Sequence, residues 1–171
     1  MKKTIKLTES DIVKILNNVI NENVDGSDLF GHDYNELLDN ISDGGLMFVE
    51  PEDALNDKIE YLNNLKNKSS IKLYRVVYAK NEKDINLNKL GHHFVGDVDD
   101  FHDDMLDYLY RNANKGNKKL KPNDIWLIKI KVSPNNIDFY ETLLTYSLHP
   151  NENEITLEND KNIKVISVSK F

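Results

Sequence analysis

The chain has 171 residues, of which 22 are basic and 29 acidic, leaving a formal charge of −7. That length suits one domain with an appendage, and 39% apolar residues exclude wholesale disorder. The absence of Cys excludes disulfides, thiol nucleophiles and zinc–thiolate or iron–sulfur sites, and no apolar run approaches the ~20 residues of a membrane helix.

The acidic total argues against general nucleic-acid affinity, so nucleic acid is not an expected partner, and neither is a membrane. The basic set is lopsided, with 20 Lys and only two Arg, Arg75 and Arg111. Charge is also uneven along the chain: residues 1–22 sum to +1, residues 23–66 to −9, and the remainder to +1.

Residues 1–22 read as a leader or docking helix. Thr8 and Asp11 form a capping-box variant, and Ile12, Ile15, Leu16, Val19 and Ile20 make one apolar stripe. Met1-Lys2-Lys3 opens like a signal peptide, but Thr8-Glu9-Ser10-Asp11 interrupts the apolar core, so secretion is not expected. Asn23–Ser27 reads as a break. The stripe suits either docking on the domain or a detachable address.

Residues 23–171 are expected to form one domain, with an acidic helical part over 23–70 and a β-rich core over 71–171. In the first part the pattern predicts a short helix over Tyr34–Ile41, ended by Gly44-Gly45. A stronger helix opens at Pro51 and carries Ala54, Leu55, Ile59, Leu62 and Leu65. Strands are predicted over Ile71–Tyr78, Leu90–Val95, Ile125–Val132, Glu152–Leu157 and Ile163–Val168. Asp99–Asn112 reads as a helix with Phe101, Met105, Leu106, Leu109 and Tyr110 inward. Helices first and strands later predict an α+β fold.

Two constellations stand out. Strand alternation puts Ile71, Leu73, Arg75 and Val77 on one face, where a guanidinium among aliphatic neighbours needs an anion. That anion is either a carboxylate of the protein or a phosphate of a ligand. The second is Pro150-x-Glu152-x-Glu154-Ile155-x-Leu157. As a strand it carries two carboxylates on one face about 7 Å apart. Such a pair either solubilises an edge or divides acid, base and electrostatic roles. His92, His93, His102 and the acids Asp97, Asp99, Asp100, Asp103 and Asp104 lack a recognised metal-ligand spacing and read better as a solvated helix start. The basic loop of Lys115, Lys118, Lys119 and Lys121 reads as a solvated turn in preference to a phosphate contact.

In order, Leu73-Tyr74-Arg75, Leu90-Gly91-His92-His93-Phe94, Pro150-x-Glu152-x-Glu154-Ile155-x-Leu157 and Ile163–Val168 resemble the mono-ADP-ribosyltransferases of the Arg-Ser-Glu class. The resemblance covers residues 71–169 and is strongest in the Glu-x-Glu hairpin. It implies two packed β-sheets flanked by helices and an enzyme that transfers ADP-ribose from NAD to a protein acceptor. By that resemblance Arg75 binds the NAD phosphate, and Glu154 holds the nicotinamide-ribose hydroxyl and stabilises the charge formed as nicotinamide leaves. Glu152 would orient or deprotonate the acceptor, and a Glu there implies an arginine acceptor. Tyr74, Gly91, His92, His93 and Phe94 would surround NAD, and the loop Tyr146-Ser147-Leu148-His149 would face the target. The family's Ser-Thr-Ser after the Phe is replaced by Val95-Gly96-Asp97, and Val76 replaces the Gly that usually follows the Arg. Either His92 or His93 is then expected to take over the missing serine's hydrogen bonding. The alternative expectation is a non-catalytic, virion-internal or partner-binding protein on the same fold.

Lys6–Val13 leading into Val19-Ile20-Asn21-Glu22 resembles the leader helices of tailed-phage internal proteins, and Ile20-x-Glu22 resembles the sites cut by prohead proteases. That resemblance implies a phage virion protein delivered to the host cytoplasm.

Overall fold

The structure is a computed structural model that describes residues 30–44, 49–115, 119–159 and 163–171. The expected helix within residues 1–22 lies outside these residues, as does part of the basic loop after Lys115. The elements in order are α1 (Tyr34–Asp43), α2 (Pro51–Lys66), β1 (Ile71–Tyr78), β2 (His93–Val95), α3 (Asp103–Ala113), β3 (Ile125–Val132), α4 (Phe139–Leu148), β4 (Glu154–Thr156) and β5 (Lys164–Lys170). The fold is α+β.

The two long strands match their predicted limits, because β-branched and aromatic residues run unbroken through both. They pair antiparallel over eight residues, from Ile71 opposite Val132 to Tyr78 opposite Ile125. Helix α1 is capped by Asp33, whose carboxylate accepts from the Asn35 and Glu36 backbone N–H groups at 2.9 and 3.1 Å. Helix α2 starts with Pro51, whose missing N–H costs nothing in the first turn. Leu37, Ile41, Leu55 and Leu62 from these helices meet Leu73, Ile128 and Ile130 from the sheet and Leu143 from α4 in one core. Each such buried side chain contributes roughly 1.5–3 kcal/mol.

Where two packed sheets were expected, the described strands form one antiparallel sheet in the order β4-β2-β1-β3-β5. The short β2–β4 pair joins β1 through a single registered position, Tyr74 opposite Val95. The sheet therefore has a narrow neck and continues across it.

Other boundaries differ as well, the last strand running Lys164–Lys170 and the first helix extending to Asp43. The strand expected over Leu90–Val95 shortens to three residues, since Gly91 has φ +76° and cannot continue an extended run. Glu152 lies in a turn, and the strand begins at Glu154, because Asn153 takes a left-handed φ of +46°. The helix expected from Asp99 begins at Asp103. A 3₁₀ turn over Val98–Asp100, boxed by Asp97 and Asp100, precedes it, and His102 caps it by accepting from the Met105 N–H. Tyr146–Leu148, expected as loop, form the last turn of α4, with His149 as its C-cap. That helix mixes apolar and polar positions around its circumference, so it carries no clear amphipathic stripe.

Candidate active site

Arg75 opposes Ile128 in the β1–β3 ladder, so it shares the face of Ile71 and Leu73, as the alternation predicts. Its neighbour Tyr74 is the last residue of β1 in register with β2. Beyond that point the two strands part, and the guanidinium enters the opening. Nη1 donates to the His93 carbonyl at 2.6 Å. The guanidinium carbon sits 5.6 Å from the centre of the Phe94 ring, which is 2% exposed. No carboxylate among the described residues lies within ion-pair distance of Arg75. Burial pulls its pKa down, and the nearby Glu154 pulls it back up.

Gly91 lies against the same guanidinium. A Cβ there would stand 3.2 Å from Nη1 and 3.3 Å from Nη2, so the close approach and the positive φ both call for glycine. Gly91 is thus a support beneath Arg75.

Opposite Arg75 stands Glu154, at the start of β4 and paired with Val95. Its Oε2 lies 3.3 Å from His93 Nδ1, and the side chain is 24% exposed. Burial pushes its pKa up, and Glu152 adds to the rise, while His93, Arg75 and His149 oppose it. His93 thereby touches both partners, its carbonyl holding Arg75 and its ring holding Glu154. Of the two histidines expected to replace the absent serine, His93 reaches Glu154. His92 does not, since its Nδ1 lies 3.0 Å from the Leu157 carbonyl while its own carbonyl accepts from the Leu157 N–H at 2.8 Å. It braces the β2–β4 hairpin.

These groups surround a cleft of about 580 Å³. Tyr74, Arg75, His93, Phe94, Glu152 and Glu154 are among its lining residues. Helix α3 contributes Asp104, Met105, Tyr108 and Leu109, and His102 and His149 line it too. The volume falls within the range of small-molecule sites. The lining combines one guanidinium, Arg75, with three carboxylates, Asp104, Glu152 and Glu154, and with apolar surface from Phe94, Met105 and Leu109, so a ligand would meet its anionic part at Arg75 and its flat parts at the apolar surface. No group of three or more His, Asp or Glu among the described residues is arranged to hold a metal ion.

The turn before Glu154 is tied down at several points. The Glu152 N–H donates to the His149 carbonyl at 3.0 Å, and His102 Nε2 lies 3.2 Å from the Asn151 carbonyl. Asn153 Oδ1 accepts from Lys58 Nζ at 2.7 Å, and Asn153 Nδ2 donates to Asp100 Oδ1 at 2.8 Å. Sequence reasoning passed over Lys58, although a signal was present. Lys58 stands on the apolar stripe of α2, four residues from Ala54 and three from Leu55, and it is 4% exposed. Asn153 carried no comparable mark.

Gly96, in the segment that replaces the family serine motif, packs under Tyr61: a Cβ there would collide with the Tyr61 hydroxyl. No protein family, curated protein or solved structure matches this chain.

Proposed function

We propose that the protein is an NAD-dependent mono-ADP-ribosyltransferase that modifies a protein acceptor, with arginine favoured. The observation that carries this reading is a guanidinium without a carboxylate partner that lines one cleft together with the half-buried Glu154 and the exposed Glu152.

On this reading Arg75 binds a phosphate of NAD with the donors not used by His93. Phe94 and the apolar side chains Met105 and Leu109 exclude water from the bound ligand. Glu154 faces the ribose and stabilises the positive charge that develops as nicotinamide leaves, an electrostatic contribution placed in advance. Burial keeps that contribution strong, because the carboxylate is poorly screened. Glu152, in the turn, takes the proton from the acceptor nitrogen. His93 orients the Glu154 carboxylate, the task that a serine performs in the family the sequence resembles.

Labelled NAD incubated with the protein and a bacterial lysate tests the reading. Transfer of label to a protein, lost in Glu154→Ala, supports it. No transfer and no nicotinamide release, with Glu154→Ala indistinguishable from the parent, overturns it.

A second reading is a non-catalytic binding protein, favoured by Val95-Gly96-Asp97, which offers no side-chain hydroxyl behind Glu154. Calorimetry separates the two: NAD binding abolished in Arg75→Ala supports the enzyme, and absence of NAD binding supports the second reading.

A further inference from the structure

Lys58 is an expensive residue in its position. It occupies the core-facing stripe of α2, where Leu or Met would pack at no electrostatic cost. Its ammonium has no carboxylate within ion-pair distance among the described residues. It lies 4.7 Å from the centre of the Tyr146 ring and 5.5 Å from that of Tyr61. Its hydrogen-bond acceptor is Asn153, 95 residues away and directly between Glu152 and Glu154.

Asn153 is specialised at both ends. Its backbone adopts a left-handed conformation that Asn tolerates better than most residues. Its amide oxygen meets Lys58, and its amide nitrogen meets Asp100, whose other oxygen accepts from the Asp97 N–H at 3.0 Å. Helix α2 and the 3₁₀ turn therefore grip the one residue that separates the two glutamates. The folding of the helical layer needs no such link, since Leu55, Ile59, Leu62 and Leu65 already bury α2.

We propose that Lys58 is a positioning residue, which through Asn153 sets the Glu152–Asn153–Glu154 turn so that both carboxylates face the cleft. The catalytic consequence rests on the transferase reading; the placement of the turn does not. Lys58 touches no ligand, so its loss should act on the placement of Glu154 and spare the Arg75 side of the cleft. Misplacement of a reacting group by a fraction of an ångström is enough to slow a reaction about tenfold.

The test uses Lys58→Met, Asn153→Gly and the double variant in the full chain. Asn153→Gly removes the side chain while keeping the left-handed backbone accessible. Two readouts are needed. The first is the titration of the Glu154 carboxyl carbon by NMR, which requires no activity. The second is nicotinamide release from NAD, resolved into kcat and KM.

The expected result for Lys58→Met is a Glu154 midpoint moved at least about half a pH unit toward the ordinary carboxylate range. The accompanying fall in kcat is about tenfold, with KM for NAD within about twofold. Adding Lys58→Met to Asn153→Gly should change neither readout further. A folded Lys58→Met with the Glu154 midpoint unmoved overturns the proposal, and so does a full additional effect in the Asn153→Gly background. Should Lys58→Met fail to fold, Asn153→Gly with an unmoved midpoint overturns it equally. A parent protein that releases no nicotinamide removes the transferase reading alone, and the titration then decides the turn.

Discussion

Arg75 reaches across the point where β1 and β2 separate and donates to the His93 carbonyl at 2.6 Å. The bond explains how a cation is tolerated on an apolar strand face. One donor is satisfied by the backbone, the Phe94 ring centre lies 5.6 Å from the guanidinium carbon, and the side chain lines the cleft.

Arg75→Lys should not be conservative. A lysine is a point donor and cannot hold the His93 carbonyl and a phosphate together. Calorimetry should show NAD affinity falling at least about tenfold, with thermal stability changed by less than ~1 kcal/mol. Unchanged affinity would remove Arg75 from the binding site.

Glu154 should make catalysis sensitive to mild acid. Its pKa is raised mainly by burial, so the carboxylate that the transferase reading requires for charge stabilisation is lost at a higher pH than for an ordinary glutamate. The acid limb of kcat against pH should therefore lie above 4.5. In His93→Ala an opposing charge is gone and the limb should move further up. Glu154→Gln should lower kcat roughly 10²–10³-fold. Because a raised carboxyl pKa makes the ionised form a cost to the folded state, that variant should melt no lower than the parent at pH 7.

Gly91→Ala should damage the site from below. The substitution meets a φ of +76° and a guanidinium 3.2 Å from the new methyl. Urea unfolding should register a loss of about 1–3 kcal/mol, and NAD affinity should fall with it. Wild-type stability and affinity together would show that Arg75 does not depend on this contact.

Lys58 gives stability a defined pH slope. Burial lowers its pKa to about 8, with Asp100 opposing, while Asp57, Tyr61 and Tyr146 line the same small cavity. Between about 8 and 10.5 the unfolded chain holds a proton that the folded chain has released, so the contribution of this group to stability rises with pH. The rise amounts to at most about 3 kcal/mol over that window. In urea melts between pH 7.5 and ~9.5, the parent should gain on Lys58→Met. Using the difference cancels the tyrosines common to both proteins. A constant difference across the range would contradict a buried, ionisable Lys58.

Phe94→Ala removes a fully buried ring and the platform under Arg75 together. The expected cost is about 3–5 kcal/mol, read from the denaturation midpoint.

Local chemistry alone is sufficient for β1 and β3, whose β-branched and aromatic runs leave no competing period, and for α2, with Pro51 at its start and a regular apolar stripe. It is sufficient also to single out Arg75 and the Glu-x-Glu segment, because a charge on an apolar strand and a close carboxylate pair are visible without knowing what lies opposite; that Glu152 sits in a turn and not in the strand is decided by the left-handed Asn153. The remaining features depend on partners far along the chain. His93 approaches Glu154 only because β2 pairs with β4, 61 residues on. Gly91 is required by a guanidinium from another strand, and Lys58 is explained by an asparagine 95 residues away. The single sheet rests on one registered pair, Tyr74 with Val95, that no periodicity encodes. Periodicity reports which face of an element is buried; which atoms meet across that face is decided by the chain as it closes on itself.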